Sequence, residues 1–120
     1  MKKAKVSEAT GMTLDWMVTS IEEPKAMEYG VADWREQRRG MVKHGEYLYR
    51  WSSSWMQGGP IIEREEIFLA KSVLGGWTAA IYPDDICCIL YAGDTPLTAA
   101  MRVHVASRYG DEVEVPDELV

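Results

Sequence analysis

The stretch Trp51-Ser52-Ser53-Ser54-Trp55-Met56-Gln57-Gly58-Gly59-Pro60-Ile61-Ile62-Glu63-Arg64 concentrates the side chains and backbone types best suited to binding. Trp51 and Trp55 combine large apolar area with an indole N–H that needs a partner. Gln57 and Glu63 supply polar groups nearby. Together with Trp77 and Tyr47 or Tyr49, these rings frame a ligand pocket or a partner surface. The plainer reading is that they fill the core of a small domain, since aromatic residues dominate cores and interfaces alike. Gly58 and Gly59 precede a proline suited to the first position of a short helix. A glycine turn at a helix start exposes backbone N–H groups that can hold an anion. That signal has low specificity: no Lys-Ser or Lys-Thr follows, and the spacing does not fit a dinucleotide fingerprint. A tight turn that sets Trp55 against the core accounts for the same residues. The candidate ligand-binding residues are therefore Trp51, Trp55, Gln57, Gly58, Gly59, Pro60 and Glu63.

Other chemistry is thinner. Residues 34–51 interleave basic and aromatic side chains, the chemistry of single-stranded nucleic-acid binding. Asp33, Glu36 and Glu46 dilute it, and a solvated charged face explains it as well. His44 and His104 are the only histidines, and His104 falls in the middle of a helical pattern, which suits a structural or an exposed residue better than a base. No His, Asp or Glu pair has metal-ligand spacing on a helix, so no metal and no cofactor is expected. Ser52, Ser53 and Ser54 lack a nucleophile-elbow context. No residue is assigned a catalytic role, and whether the chain is an enzyme is left open.

These residues must be positioned by a chain of 120 residues, 47% of them hydrophobic, with thirteen basic and nineteen acidic side chains and a net charge of −6. That length suits one domain, residues 1–120, burying roughly two-thirds of its unfolded surface. The acidic balance favours solubility and argues against general phosphate-backbone binding. Cys87 and Cys88 are adjacent, so a bond between them is strained; reduced thiols in a cytoplasmic protein are expected. The basic start Met1-Lys2-Lys3-Ala4-Lys5 leads to no apolar targeting segment, and no stretch is long enough to span a membrane.

Residues 6–12 read as a leading loop, and Thr13 as the N-cap of a helix over 14–23 with Leu14, Met17, Val18 and Ile21 on one stripe. Pro24 marks its stop. Tyr47, Tyr49 and Trp51 suggest a strand with one aromatic face. A turn at Gly58-Gly59 leads into a short helix from Pro60. Ile67, Leu69, Lys71 and Val73, a Gly75-Gly76 turn, and Trp77, Ala79 and Ile81 form a hairpin. Residues 86–91 add a third strand with Ile86, Cys88 and Leu90 on one face. The clearest helix covers 96–109, capped by Thr95, opened by Pro96 and stopped by Gly110.

Four ordered blocks of this sequence carry a resemblance. They are Val6-Ser7-Glu8-Ala9-Thr10-Gly11 leading into Leu14-Asp15-Trp16-Met17-Val18, then Trp55 to Glu63, then Trp77-Thr78-Ala79, and finally Asp94 to Arg102 with Val105 to Val113 and Pro116. The chain resembles the NinX-like proteins of tailed phages and enterobacterial prophages over nearly its whole length. Residues 25–46 fit least and read as a variable insertion. The resemblance implies a small phage or prophage product of the bacterial host cytoplasm, from a family of unknown function, so no catalytic residue carries over. An α+β fold is expected, with a small antiparallel sheet packed against an N-terminal and a C-terminal helix. The function expected first is a non-enzymatic module that binds a host or phage protein. The alternative is a small-ligand or nucleotide pocket at Trp55–Glu63, with catalysis left open. A homo-oligomer is compatible with either.

Overall fold

The computed structural model describes residues 1–24 and 49–119. The chain opens with strand β1 (Lys2–Lys5) and helix α1 (Gly11–Glu22), and continues with helix α2 (Trp55–Arg64). Strands β2 (Phe68–Lys71), β3 (Trp77–Ile81) and β4 (Ile89–Gly93) follow, then helix α3 (Pro96–Tyr109) and strand β5 (Glu112–Val115). The expected α+β class is borne out. A three-stranded antiparallel sheet runs β2-β3-β4, and β1 pairs antiparallel with β5 in a second sheet.

Helix α3 is the hub. Thr95 Oγ1 accepts a hydrogen bond from the Thr98 N–H at 3.1 Å, Pro96 follows, and Gly110 ends the helix, as the sequence pattern predicts. Leu97, Met101, Val103, His104 and Val105 are all buried, because β3 and β4 pack on one side of the helix while α1 and α2 pack on others. Helix α1 contributes Leu14, Met17 and Val18 to the same core, and α2 contributes Ile61. On β3 and β4, Trp77, Ala79, Ile81, Ile89 and Tyr91 pack against the core, whereas Phe68 of β2 and Leu90 of β4 lie exposed. The Gly75-Gly76 hairpin is as expected: both residues have positive φ (103° and 73°), and the Ser72 N–H donates to the Gly76 carbonyl at 3.0 Å.

Several expectations need correction. Helix α1 begins three residues earlier than expected. Thr10 precedes it, and Thr13, the expected cap, lies inside it with its hydroxyl donating to the Leu119 carbonyl. Part of the leading loop is a 3-10 turn (Val6–Glu8) that buries Val6, and strand β1 precedes it. Lys3 faces Glu114 and Lys5 faces Glu112 across β1 and β5, so opposite charges line the pair that joins the two ends. The third strand is displaced to Ile89–Gly93. Asp84 Oδ1 accepts the Ile86 and Cys87 N–H groups at 2.8 and 2.7 Å, and this local turn competes with the ladder. Ile86, Cys87, Cys88 and Leu90 are all exposed, and both thiols are free. Tyr49 and Trp51 stack at 5.7 Å but form no strand; the rest of that expected strand, the basic-aromatic residues 34–48 and the variable insertion 25–46 lie outside the described residues. No helix among the described residues is long and apolar enough to cross a membrane.

Candidate functional site

The site begins with how residues 50–58 are held. The carbonyl of Arg50 accepts the N–H groups of Ser53 and Ser54 at 3.1 and 2.7 Å, closing a turn over Trp51–Ser53. Gln57 Oε1 accepts the Arg50 N–H at 2.6 Å and latches that turn to the first turn of α2. Trp51 reaches α1, where its indole N–H donates to Thr19 Oγ1 at 2.9 Å. One turn earlier on α1, Asp15 Oδ1 accepts the Ser52 N–H at 2.9 Å. The Trp51-Ser52 dipeptide is thus pinned across the Asp15–Thr19 face of α1, and it closes over the Asp15 carboxyl.

Helix α2 then starts at Trp55 rather than at Pro60. The Ser54 carbonyl accepts the Gln57 and Gly58 N–H groups at 3.1 and 2.8 Å, so the expected Gly-Gly-Pro turn is helical instead. Pro60 lies within the first two turns on an exposed side, where the hydrogen bond it cannot make faces solvent. The glycines therefore do not stand at a helix start with free N–H groups. A Cβ on Gly58 would lie 2.5 Å from the Trp51 carbonyl oxygen and 2.6 Å from Leu97 Cδ2, so this residue is where α2 crosses the turn and α3 most closely.

A cleft of about 380 Å³ opens between the three chain segments that meet here. Gly11 and Asp15 of α1 line one wall, Ser52, Ser53 and Trp55 a second, and Thr95 to Thr98 at the start of α3 a third. Asp15 is only 7% exposed, and burial pushes its carboxyl up to about 6, against the opposing pull of the Ser52 hydrogen bonds and of Arg50. Trp55, on the second wall, is 55% exposed, and its chain neighbour Met56 is 88% exposed.

Of the seven candidate residues, Trp55 alone lines this cleft. Gln57 holds the turn, Gly58 is packed in the helix crossing, Trp51 is half-buried against α1, and Pro60 and Glu63 face solvent. Gly59 lies beside the Trp55 ring. Sequence reasoning missed the polar lining of Asp15, Ser52, Thr95 and Thr98. One signal was available: Asp15 stands three and four residues before Val18 and Thr19, on the flank of the apolar stripe, where a carboxylate is costly unless something is built around it.

A second group of titratable side chains sits where the three helices meet. Arg64 at the end of α2 forks to Glu22 of α1 with two hydrogen bonds of 2.7 Å, and its Nε donates to Glu65 at 2.9 Å. Arg108 of α3 also donates to Glu65, at 2.8 Å. His104, fully buried on α3, has Nε2 3.0 Å from Glu22 Oε2. Burial holds the His104 imidazole below its ordinary value despite both glutamates, so at neutral pH Nε2–H donates to Glu22. Hydrogen bonds from Arg108 and Arg64 pull Glu65 down to about 2. Of the two expectations for His104, structural or exposed, its full burial in this cluster fits the first and corrects the second. The cluster is a paired lock between helices, with its carboxylates saturated by arginine. Among the described residues, no group of His, Cys, Asp and Glu is placed to hold a metal ion.

A family model described as Bacteriophage P22, NinX matches residues 5–108. That span contains every residue lining the cleft. No curated protein matches the chain.

Proposed function

We propose that this chain, which belongs to the bacteriophage P22 NinX family, serves the phage as an accessory protein that binds a host or phage protein, docked over the Trp55 cleft. One observation carries this reading. Three of the blocks that gave the family resemblance, far apart in sequence, converge on one cleft: Gly11 and Asp15, Trp55, and Thr95 to Thr98. A half-exposed Trp55 lines it, and the next residue, Met56, is nearly bare. Large rings and methionine flanking a concave site are the anchors protein interfaces favour. The net charge of −6 disfavours nucleic acid as the partner.

The competing surface is the outer side of the sheet, where Phe68 and Leu90 are also exposed, and site-directed photo-crosslinking separates the two. With Met56→benzoylphenylalanine in phage-infected cells, a discrete adduct of one mass is expected. The same replacement at Leu90 should give none. Adducts from Leu90 alone, or from neither position, would overturn the proposal.

A second reading, a small-ligand pocket, draws support from the buried Asp15 carboxyl facing a cavity of ligand size. On this reading a thermal-shift screen of nucleotides and metabolites yields compounds that stabilise the wild type and lose their effect on the Trp55→Ala variant. A flat screen ends it.

A further inference from the structure

We propose that the Trp55 cleft receives a guanidinium group, the side chain of an arginine on the docked partner, held between the Trp55 ring and the Asp15 carboxylate. This rests on the protein-docking reading above and adds the chemistry that the partner must present.

This protein pairs its other largely buried carboxylates, those of the helix lock, with arginine. Glu22 carries a forked arginine, and Glu65 is bonded by two arginines. Asp15 is more deeply buried than either, at 7% exposure, yet among the described residues it has no ion pair within 4.0 Å. Its hydrogen-bond donors are the backbone and side chain of Ser52, and Arg50 acts on it only at longer range. A carboxylate at that depth is costly without a cation, and two neutral donors from one serine do not neutralise it. A cation can reach it through the cleft that Asp15 itself lines.

Three features select a guanidinium over other cations. The Trp55 ring forms part of the wall and remains more than half exposed, offering an aromatic face to a cation. A planar guanidinium stacks on an indole and presents several N–H donors to a carboxylate, whereas a lysine ammonium is a strongly hydrated point charge that does neither as well. The remaining lining carries the hydroxyls of Ser53 and Thr98, which can accept from spare N–H groups. Thr95 already caps the first turn of α3 through its bond from the Thr98 N–H, which satisfies one of the donors that would otherwise face the cation. The volume, about 380 Å³, falls at the small end of ligand cavities and matches a side chain better than a whole cofactor. The overall charge of −6 draws a basic partner to the surface.

The test uses the full chain and three blocked tripeptides, acetyl-Gly-Xaa-Gly-amide, with arginine, lysine or the uncharged isostere citrulline in the middle. The readout is the Trp55 indole N–H resonance, assigned with Trp55→Phe. The arginine peptide is expected to shift it saturably in the millimolar range, with citrulline roughly tenfold weaker or worse and lysine between them. In the Asp15→Asn variant the preference for arginine over citrulline should vanish while the indole signal itself stays in place. Equal binding of arginine and citrulline, a preserved preference in Asp15→Asn, or no shift with any peptide would each overturn the guanidinium assignment. Such a failure alongside a Met56 crosslink would leave the docking surface standing and its chemistry reassigned. Failure of both would remove the surface as well.

Discussion

Gly58→Ala is expected to cost about 3 kcal/mol or more of folding stability, while Gly59→Ala, one residue on, should stay within about 1 kcal/mol of the wild type. Both glycines sit in α2, so intrinsic helix propensity favours alanine at each by about 1 kcal/mol. Their surroundings decide the outcome. At position 58 the new methyl would meet the Trp51 carbonyl oxygen at 2.5 Å and Leu97 Cδ2 at 2.6 Å. The first is backbone, held by the turn over Trp51–Ser53, and the second belongs to a buried side chain, so α2 itself must move off α3. At position 59 the nearest atom is Trp55 Cε3 at 4.0 Å, an ordinary contact. The gain in propensity there is opposed by Pro60, whose ring crowds a Cβ on the residue before it in helical conformation. Urea unfolding of the three proteins should show a large drop in midpoint for Gly58→Ala alone, equivalent to a fall in Tm on the order of 10 °C. Equal midpoints for both variants would mean that the helix crossing has room for a methyl group.

Asp15→Asn is expected to stabilise the protein at pH 8 by up to about 3 kcal/mol and to change it little near pH 4. Burial raises the Asp15 carboxyl from an ordinary 3.8 to about 6. Between those two values the folded chain binds more protons at this site than the unfolded chain does, so stability falls as pH rises through the window. The contribution of the protonated form is fully present below 3.8 and is lost above about 6. A neutral amide escapes that loss, and its carbonyl oxygen can still accept the Ser52 N–H. The check is thermal unfolding of both proteins from pH 4 to 8, where the gap in Tm should open across the pH 4–6 region. A variant less stable than the wild type at pH 8 would show that the carboxylate holds the fold together, and it could not then be a charge kept for a partner. Stability given up at a cleft residue is a pattern associated with binding sites.

How far these features can be read in the sequence depends on the range of the forces that set them. The α3 limits follow from Thr95, Pro96 and Gly110, and the hairpin from Gly75-Gly76. Each is a local backbone preference that acts within a few residues. The α1 stripe was legible because Leu14, Met17 and Val18 repeat at helical spacing. The β1–β5 pair was not: four-residue strands about 110 residues apart, such as Lys2 opposite Val115, show no pattern until the chain has folded. The start of α2 was misread for the opposite reason. Local rules for Gly-Gly-Pro favour a turn, and the packing of Gly58 against Trp51 and Leu97 overrides them.

The sequence by itself determined that this is an α+β protein of the NinX family, acidic, with aromatic and glycine residues gathered in the segment that begins at Trp51. Those properties are carried by composition, short-range periodicity and ordered blocks of residues. Only the tertiary structure decided that six of the seven candidate residues lie outside the cleft lining, and that Trp55 instead faces Asp15 and the Thr95–Thr98 turn. The reason is burial. Asp15 is one acidic residue among many until the Ser52 turn closes over it, and a carboxylate acquires its cost and its use only once water has been excluded around it.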